Sequence, residues 1–359
     1  MTAADLRLAH AAVTDSCNRV VMGPLPSLVE RPVASSVQEL LGAVTHREPI
    51  VSGDSKTGAR LERVVLGGEL RVVKHLHVDD DWLMRSTGDV GCRPLLMWRS
   101  GLLDLLPACI DHAIVGAAAG EGRNAWGAAL LMRDVTPYLV PEGDEPVSLV
   151  QHHRFLSHMA ALHASFWGWT DNVGLLPVSN RYLAFGPDSV ACEERLGWPD
   201  AVPRLIVDGW RRFAALAGPV ADPVIALARD PSTLVDALAE EPATLLHGDW
   251  KMGNLGTLPD GRTVLLDWAL PGRGSPTGEL AHYLALNTAR LPETKKSAIA
   301  WYRDSLENAG ISTGDWWERN LALGLLAGVV WFGWEKALGG PGAELSWWLE
   351  RAAEGLQCL

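Results

Sequence analysis

The chain has 359 residues, 48% of them hydrophobic, with a net charge of -12 and a pI near 5.4. That length and apolar share suit a folded protein of two lobes or domains, and the acidic balance argues against a nucleic-acid partner, which needs a basic face. The opening MTAADLRLAH has no basic region followed by an apolar core, so no secretory signal is read there, and five cysteines without a C-x-x-C pair point to reduced thiols in the cytoplasm, with no disulfide framework and no zinc site.

Residues 1–34, with Pro24, Pro26 and Pro32, read as an irregular N-terminal extension. Ser36 is a good N-cap for a short helix over VQELLGAV. From Ile50 the pattern changes. Val51 to Gly58 (VSGDSKTG) is a turn of small residues, followed by RLERVVL, Gly67-Gly68-Glu69 and LRVVKHLHV, two β-rich runs that read as a hairpin. A glycine-bearing loop ahead of such a hairpin lets backbone N–H groups approach phosphate oxygens. Lys74 in the second run reads alone as an exposed strand lysine. With a nucleotide loop upstream it reads as a grip on the α- and β-phosphates. His75 and His77 follow strand periodicity and are not read as metal ligands.

A helix is expected over Pro94–Leu106, closed by Pro107, then strands over Ile110–Ala118 and Trp126–Met132. Arg133-Asp134-Val135 before Pro137 is a natural crossover between lobes, which divides the chain into an N-terminal extension (1–34), an N-lobe (35–133) and a C-lobe (134–359). After Pro146 the chain turns helical, with Leu149, Phe155, Leu156, Met159, Leu162 and Phe166 near one face and His163 read as a packing residue. The run Leu321–Trp334 has 14 residues, short of the about 20 that a membrane span needs, and reads as a core helix. Seven of the 16 tryptophans follow residue 300, and most are expected in the core.

The chemistry concentrates in Leu245–Trp268, LLHGDWKMGNLGTLPDGRTVLLDW. Asp249 and Asn254 share one loop, and Asp267 returns at the end of an apolar strand after the turn Pro259-Asp260-Gly261. An acid, an amide and a second acid so spaced suit phosphoryl transfer from a Mg²⁺-nucleotide. Asp249 orients the attacking hydroxyl and accepts its proton, Asn254 and Asp267 offer hard oxygen ligands, and Lys251 meets the transferring phosphoryl group.

On HGDWKMGN, LLDW, MAALHASF and Gly278-Glu279-Leu280-Ala281, the chain resembles the aminoglycoside phosphotransferase family over residues 36–350. The resemblance implies an α+β, protein-kinase-like two-lobed fold, with a small antiparallel β-rich N-lobe and a larger, mainly helical C-lobe. It implies Asp249 as catalytic base, Asn254 and Asp267 as Mg²⁺ ligands, and Lys74 on the nucleotide phosphates. Gly53, Ser55, Lys56 and Gly58 would lie in the phosphate-covering loop, and Met132 to Asp134 beside the adenine. His247 and Glu279 would brace the catalytic loop. The glutamate that family members pair with the strand lysine is missing at Cys92-Arg93-Pro94, so Asp89 is the expected substitute. Trp250 and Trp268 adjoin the two acids, either packing the loop or offering a flat wall to a ring.

The expected activity is transfer of the γ-phosphate of ATP or GTP to a hydroxyl of a small molecule. The acceptor is an antibiotic, such as an aminoglycoside or nucleoside antibiotic, or an amino sugar. Glu193, Glu194, Asp200 and Asp208 are candidate amine readers. The alternatives are a sugar or amino-alcohol metabolite kinase and a nucleotide-binding pseudokinase or scaffold. No nucleic acid or membrane partner is expected, and monomer and homodimer stay open. A protein kinase is disfavoured, because Glu279 and its helix follow Asp267 with no room for an activation loop.

Overall fold

The computed structural model describes residues 26–50, 58–121, 127–197 and 200–359. Helix α1 (Val37–Leu41) is capped by the Ser36 side chain, which accepts from the Glu39 N–H. Then follow β1 (Val44–Ile50), β2 (Arg60–Leu66), β3 (Glu69–Leu76), α2 (Trp82–Thr87), α3 (Arg93–Arg99), β4 (Ile110–Asp111), β5 (Ile114–Glu121) and β6 (Gly127–Arg133). Five of these strands form an antiparallel sheet in the order β1-β2-β3-β6-β5.

The two faces of that sheet separate cleanly. Val64, Val73, Ala118, Ala129 and Leu131 pack under Val37 and Leu41 of α1, while Leu76, Ile114, Ala117, Ala128 and Leu130 join Leu95, Met97 and Trp98 of α3 in the main core. Side chains alternate along a strand, so Lys74, opposite Leu130 and two residues before Leu76, leaves the inner face. That register aims it at the helical lobe.

Two sequence-based boundaries move. The helix expected to reach Val44 stops at Leu41, because Gly42 takes a positive φ of 54° as C-cap, and Val44 opens a strand instead. That strand is an exposed edge whose middle is Thr, His, Arg and Glu, so it carries no apolar alternation. The helix expected over 94–106 breaks at Ser100-Gly101 and resumes as a 3₁₀ turn over Leu102–Leu105. Gly101 has φ +75°, and a Cβ there would stand 2.2 Å from the Val29 carbonyl oxygen, so the N-terminal segment crosses at that point.

The remainder is mainly helical: α4 (Leu149–Ser165), α5 (Val178–Leu183), α6 (Pro187–Arg195), α7 (Ala201–Leu216), α8 (Ala221–Arg229), α9 (Ser232–Ala239), α10 (Pro276–Leu286), α11 (Lys295–Asn308), α12 (Trp317–Leu338) and α13 (Ala343–Leu356). Four short strands interrupt it between α9 and α10: β7 (Thr244–Leu246), β8 (Leu255–Thr257), β9 (Thr263–Leu265) and β10 (Gly272–Gly274). β8 and β9 form the expected hairpin, with β4 added in parallel, and β7 pairs with β10. The molecule thus has the α+β arrangement of a small antiparallel lobe and a larger helical lobe.

Helix α12 is the only described one long and apolar enough to cross a membrane, and 78% of its apolar window is buried against the rest of the protein, including α7, α10 and α13. Four histidines of α4 tie it inward: His152 to Tyr283, His153 to Glu293, His158 to Thr263 and His163 to both Tyr302 and Glu279.

Candidate active site

The loop after β7 turns on Gly248. Its φ is +85°, and a Cβ would stand 1.9 Å from the Leu270 carbonyl oxygen and 2.5 Å from Arg181 Nη1, so only glycine fits. Glu279 of α10 holds this turn from beneath, accepting the backbone N–H groups of His247 and Gly248 and a hydrogen bond from His163 Nε2 at 2.8 Å. Burial works against the Glu279 charge, but His163 and the loop N–H groups outweigh it and keep its carboxyl below the usual range. Burial also lowers the His247 pKa, favouring the neutral ring. Its Nδ1 accepts from the Asp249 N–H (3.2 Å), so Nε2–H donates to the Leu266 carbonyl (2.9 Å). One neutral imidazole thereby joins the loop of Asp249 to the strand end that carries Asp267.

Asp249 pairs with Asn254, and Asp267 with Lys74. The Asn254 amide Nδ2 donates to Asp249 Oδ2 (2.7 Å), and Lys251 Nζ lies 3.2 Å from the same oxygen. Burial alone pushes the Asp249 carboxyl up, yet Lys251 and a hydrogen bond from His282 overcome it and leave the group well below the ordinary carboxylate range. Asp267 follows β9 with φ +61°, a left-handed conformation that a non-glycine residue rarely takes and that concentrates at functional positions. Lys74 Nζ reaches across from the sheet to Asp267 Oδ1 at 2.7 Å.

Other expected site residues fall elsewhere. Gly53, Ser55 and Lys56 lie outside the described residues. Gly58 has φ +87°, and a Cβ would meet the Asp80 carbonyl oxygen at 1.9 Å, so the backbone at Gly58 packs tightly on the turn before α2. Asp89 is not the partner of Lys74: its carboxylate caps the Arg93 backbone N–H (3.0 Å) and lies 3.8 Å from the Arg93 guanidinium. Met132 pairs with Val72 across β3–β6. The Asp134 carboxylate is held by Arg63 (3.0 Å) and the Thr136 N–H, bracing the lobe crossover against β2.

Trp250 and Trp268 are both fully buried, with the His247 ring edge-on to Trp268 at 4.5 Å, so they pack the loop. Arginines accompany all four candidate amine readers: Arg85 lies beside Glu193 and Asp200, Arg204 beside Glu194 and Arg211 beside Asp208.

Two site residues lie outside the motif. Asp81 is the N-cap of α2, accepting from the Leu83 and Met84 N–H groups. Burial pushes its carboxyl up to about 6, with the capping N–H groups and Lys74 pulling it down and Asp267 pushing it up. Lys74 pairs with Asp267, and Asp81 is a further acid that feels its charge; the signal for Asp81 was an Asp run (Asp79-Asp80-Asp81) ahead of a helix start. The other is His282, whose Nε2 lies 3.1 Å from Asp249 Oδ1.

The donor set fits a magnesium ion. Asn254 donates to Asp249 through Nδ2, so its Oδ1 is the atom with a lone pair to offer a cation, and Asp267 meets Lys74 through Oδ1, with Oδ2 as its second carboxylate oxygen. No group of three His, Cys, Asp or Glu side chains gathers as a metal site among the described residues. Two hard oxygen donors suit a cation that completes its shell with water and substrate phosphates.

No family model matches the chain, and no curated protein matches it. Solved structures do. Choline kinase LicA from Streptococcus pneumoniae is similar at 13% identity and a TM-score of 0.48, covering 90% of this chain and 96% of that one. A microcompartment-associated aminopropanol kinase is similar at 14% identity and a TM-score of 0.46, covering 87% and 90%. A thermostable mutant of aminoglycoside phosphotransferase APH(4)-Ia is similar at 16% identity and a TM-score of 0.44, covering 89% and 97%.

Proposed function

We propose that the protein is a Mg²⁺-dependent phosphotransferase that moves the γ-phosphate of ATP or GTP to a hydroxyl of a small molecule. The observation that supports it most is that Asn254 pairs with Asp249 and Lys74 of the sheet pairs with Asp267, while His247 joins the loop of Asp249 to the strand end before Asp267. In this reading the lobe boundary falls at Arg133–Asp134, and the hinge backbone from Met132 to Asp134 and the loop bearing Gly53, Ser55, Lys56 and Gly58 face the nucleotide. Asn254 and Asp267 would hold Mg²⁺, which would supply charge neutralisation at the phosphates. Lys74 exchanges its contact with Asp267 for the nucleotide phosphates. Asp249, ionised and fixed on both oxygens, takes a hydrogen bond from the acceptor hydroxyl and aims it in line with the γ-phosphorus. As the new O–P bond forms and the bond to the leaving diphosphate breaks, the hydroxyl proton passes to Asp249. Lys251 sits where its charge meets the transferring phosphoryl oxygens.

The acceptor is an antibiotic such as an aminoglycoside or nucleoside antibiotic, or an amino sugar; the runner-up is a sugar or amino-alcohol metabolite. A pseudokinase has no need of the full set of catalytic groups in register. A cytoplasmic setting accords with five cysteines that form no C-x-x-C pair.

A coupled nucleotide-consumption screen over aminoglycosides, nucleoside antibiotics, macrolides, amino sugars and amino alcohols tests the reading. Asp249→Asn is expected to abolish turnover while folding and Mg²⁺-nucleotide binding persist. Undiminished turnover in that variant overturns the assignment.

A further inference from the structure

His282 belongs to none of the sequence motifs, yet it touches the proposed base. Helix α10 carries Glu279 and His282 three residues apart, on one face. The first takes the backbone N–H groups of His247 and Gly248, and the second places Nε2 3.1 Å from Asp249 Oδ1. The imidazole is only 2% exposed and packs against Trp331 (4.9 Å between ring centroids) and Phe332 (5.0 Å), so its rotamer is set by the core. The other Asp249 oxygen depends on Lys251, whose side chain is 38% exposed, and on Asn254, which in the proposed function would also hold the metal. The contact with His282 is the one that is buried and shared with neither metal nor phosphate.

The tautomer of His282 follows from its other neighbour. Arg181 of α5 is 2% exposed, donates through Nη2 to the Leu270 carbonyl (2.8 Å), and lies over Trp331 at 5.4 Å. Among the described residues its Nε and Nη1 have no hydrogen-bond partner, and neither does His282 Nδ1; both residues line one small cavity with Gly248, Glu279 and Trp331. A guanidinium stays protonated in proteins. Beside that fixed charge in a poorly solvated cavity, a proton on His282 Nδ1 is disfavoured. The proton then resides on Nε2, which donates to Asp249.

We infer that His282 is a positioning residue: it holds Asp249 as an oriented hydrogen-bond acceptor, and Arg181 behind it selects the tautomer that does so. The inference rests on the phosphotransferase reading for its kinetic consequence but not for its geometry.

Two measurements test it, both on the full chain. His282→Leu is expected to lower kcat by about 10²-fold, the scale of a misplaced reacting group, with the nucleotide KM little changed. His282→Gln, whose side-chain amide offers a donor to Asp249, is expected to recover most of that loss. Wild-type kcat in His282→Leu overturns the inference, as does an equal loss in both variants or a change confined to the nucleotide KM. Independently, ¹⁵N-histidine NMR of the wild-type protein, with His282→Gln as the assignment control, is expected to show His282 as the neutral Nε2–H tautomer. An Nδ1–H tautomer or a doubly protonated ring overturns it. If the wild-type protein turns over no acceptor, the phosphotransferase reading fails, and the NMR still decides the Asp249–His282 contact.

Discussion

Asp81→Asn is expected to stabilise the nucleotide-free protein and to flatten its pH dependence. Asp81 is buried, and its carboxyl is pushed from 3.8 up to about 6, chiefly by burial. For an acid raised in the folded state, stability is fully present below the unfolded pKa and is lost as pH rises through the folded one. Below about pH 3.8 both states hold the proton and nothing is lost; between there and about 6 the folded state binds more protons, and above 6 the penalty is complete. That gap corresponds to about 3 kcal/mol. With an unfolding entropy of about 2.1 cal/mol/K per residue and 359 residues, the change in Tm is about 4 °C. Asparagine keeps the cap, since its Oδ1 accepts the Leu83 and Met84 N–H groups as the carboxylate does. Calorimetry of both proteins without nucleotide or Mg²⁺, from pH 4 to 8, reads the effect. The variant is expected to melt higher at pH 8, with the difference vanishing toward pH 4. An equal or lower Tm at pH 8, or parallel curves, refutes the placement of a buried, ionising carboxylate there.

Glu279→Gln leaves a buried amide facing two backbone N–H groups and His163; it is expected to lower stability by about 3 kcal/mol, read as a reduced urea midpoint, with turnover lost. Gly248→Ala forces a Cβ into the Leu270 carbonyl at a positive φ; a loss of at least about 1–3 kcal/mol is expected, and an unchanged melting curve with full turnover contradicts the described turn.

How much of this is legible in the sequence depends on how local the determining contact is. The hairpin bearing Asp267, the helix of His163 and the glycine turn at Gly67-Gly68 are written in short-range pattern, and the structure forms them there. The edge strand β1 is hidden because its middle positions are solvent-exposed, which removes the alternation that marks a strand. Asp89 looks like a partner for Lys74 on spacing, but its carboxylate is consumed by an Arg93 four residues away. The contact that Lys74 makes instead joins residues 193 apart in the chain, which no local pattern encodes. Asp81 and His282 lie between these cases. An Asp run before a helix start and a histidine three residues past Glu279 are visible signs whose meaning emerges once the elements are packed.

The contact between Lys74 and Asp267 has a practical corollary for genetics. It fastens a strand of the sheet to the far side of the cleft, so removing either partner loosens a clasp between the lobes as well as deleting a chemical group. Lost activity at position 74 or 267 therefore compounds two injuries, and the pair is expected to be non-additive in a double-mutant cycle. Asp249 is different, because its partners Lys251, Asn254 and His282 all belong to the helical lobe. A lesion there leaves the clasp shut, which makes it the cleaner place to separate how the molecule holds itself together from what it does.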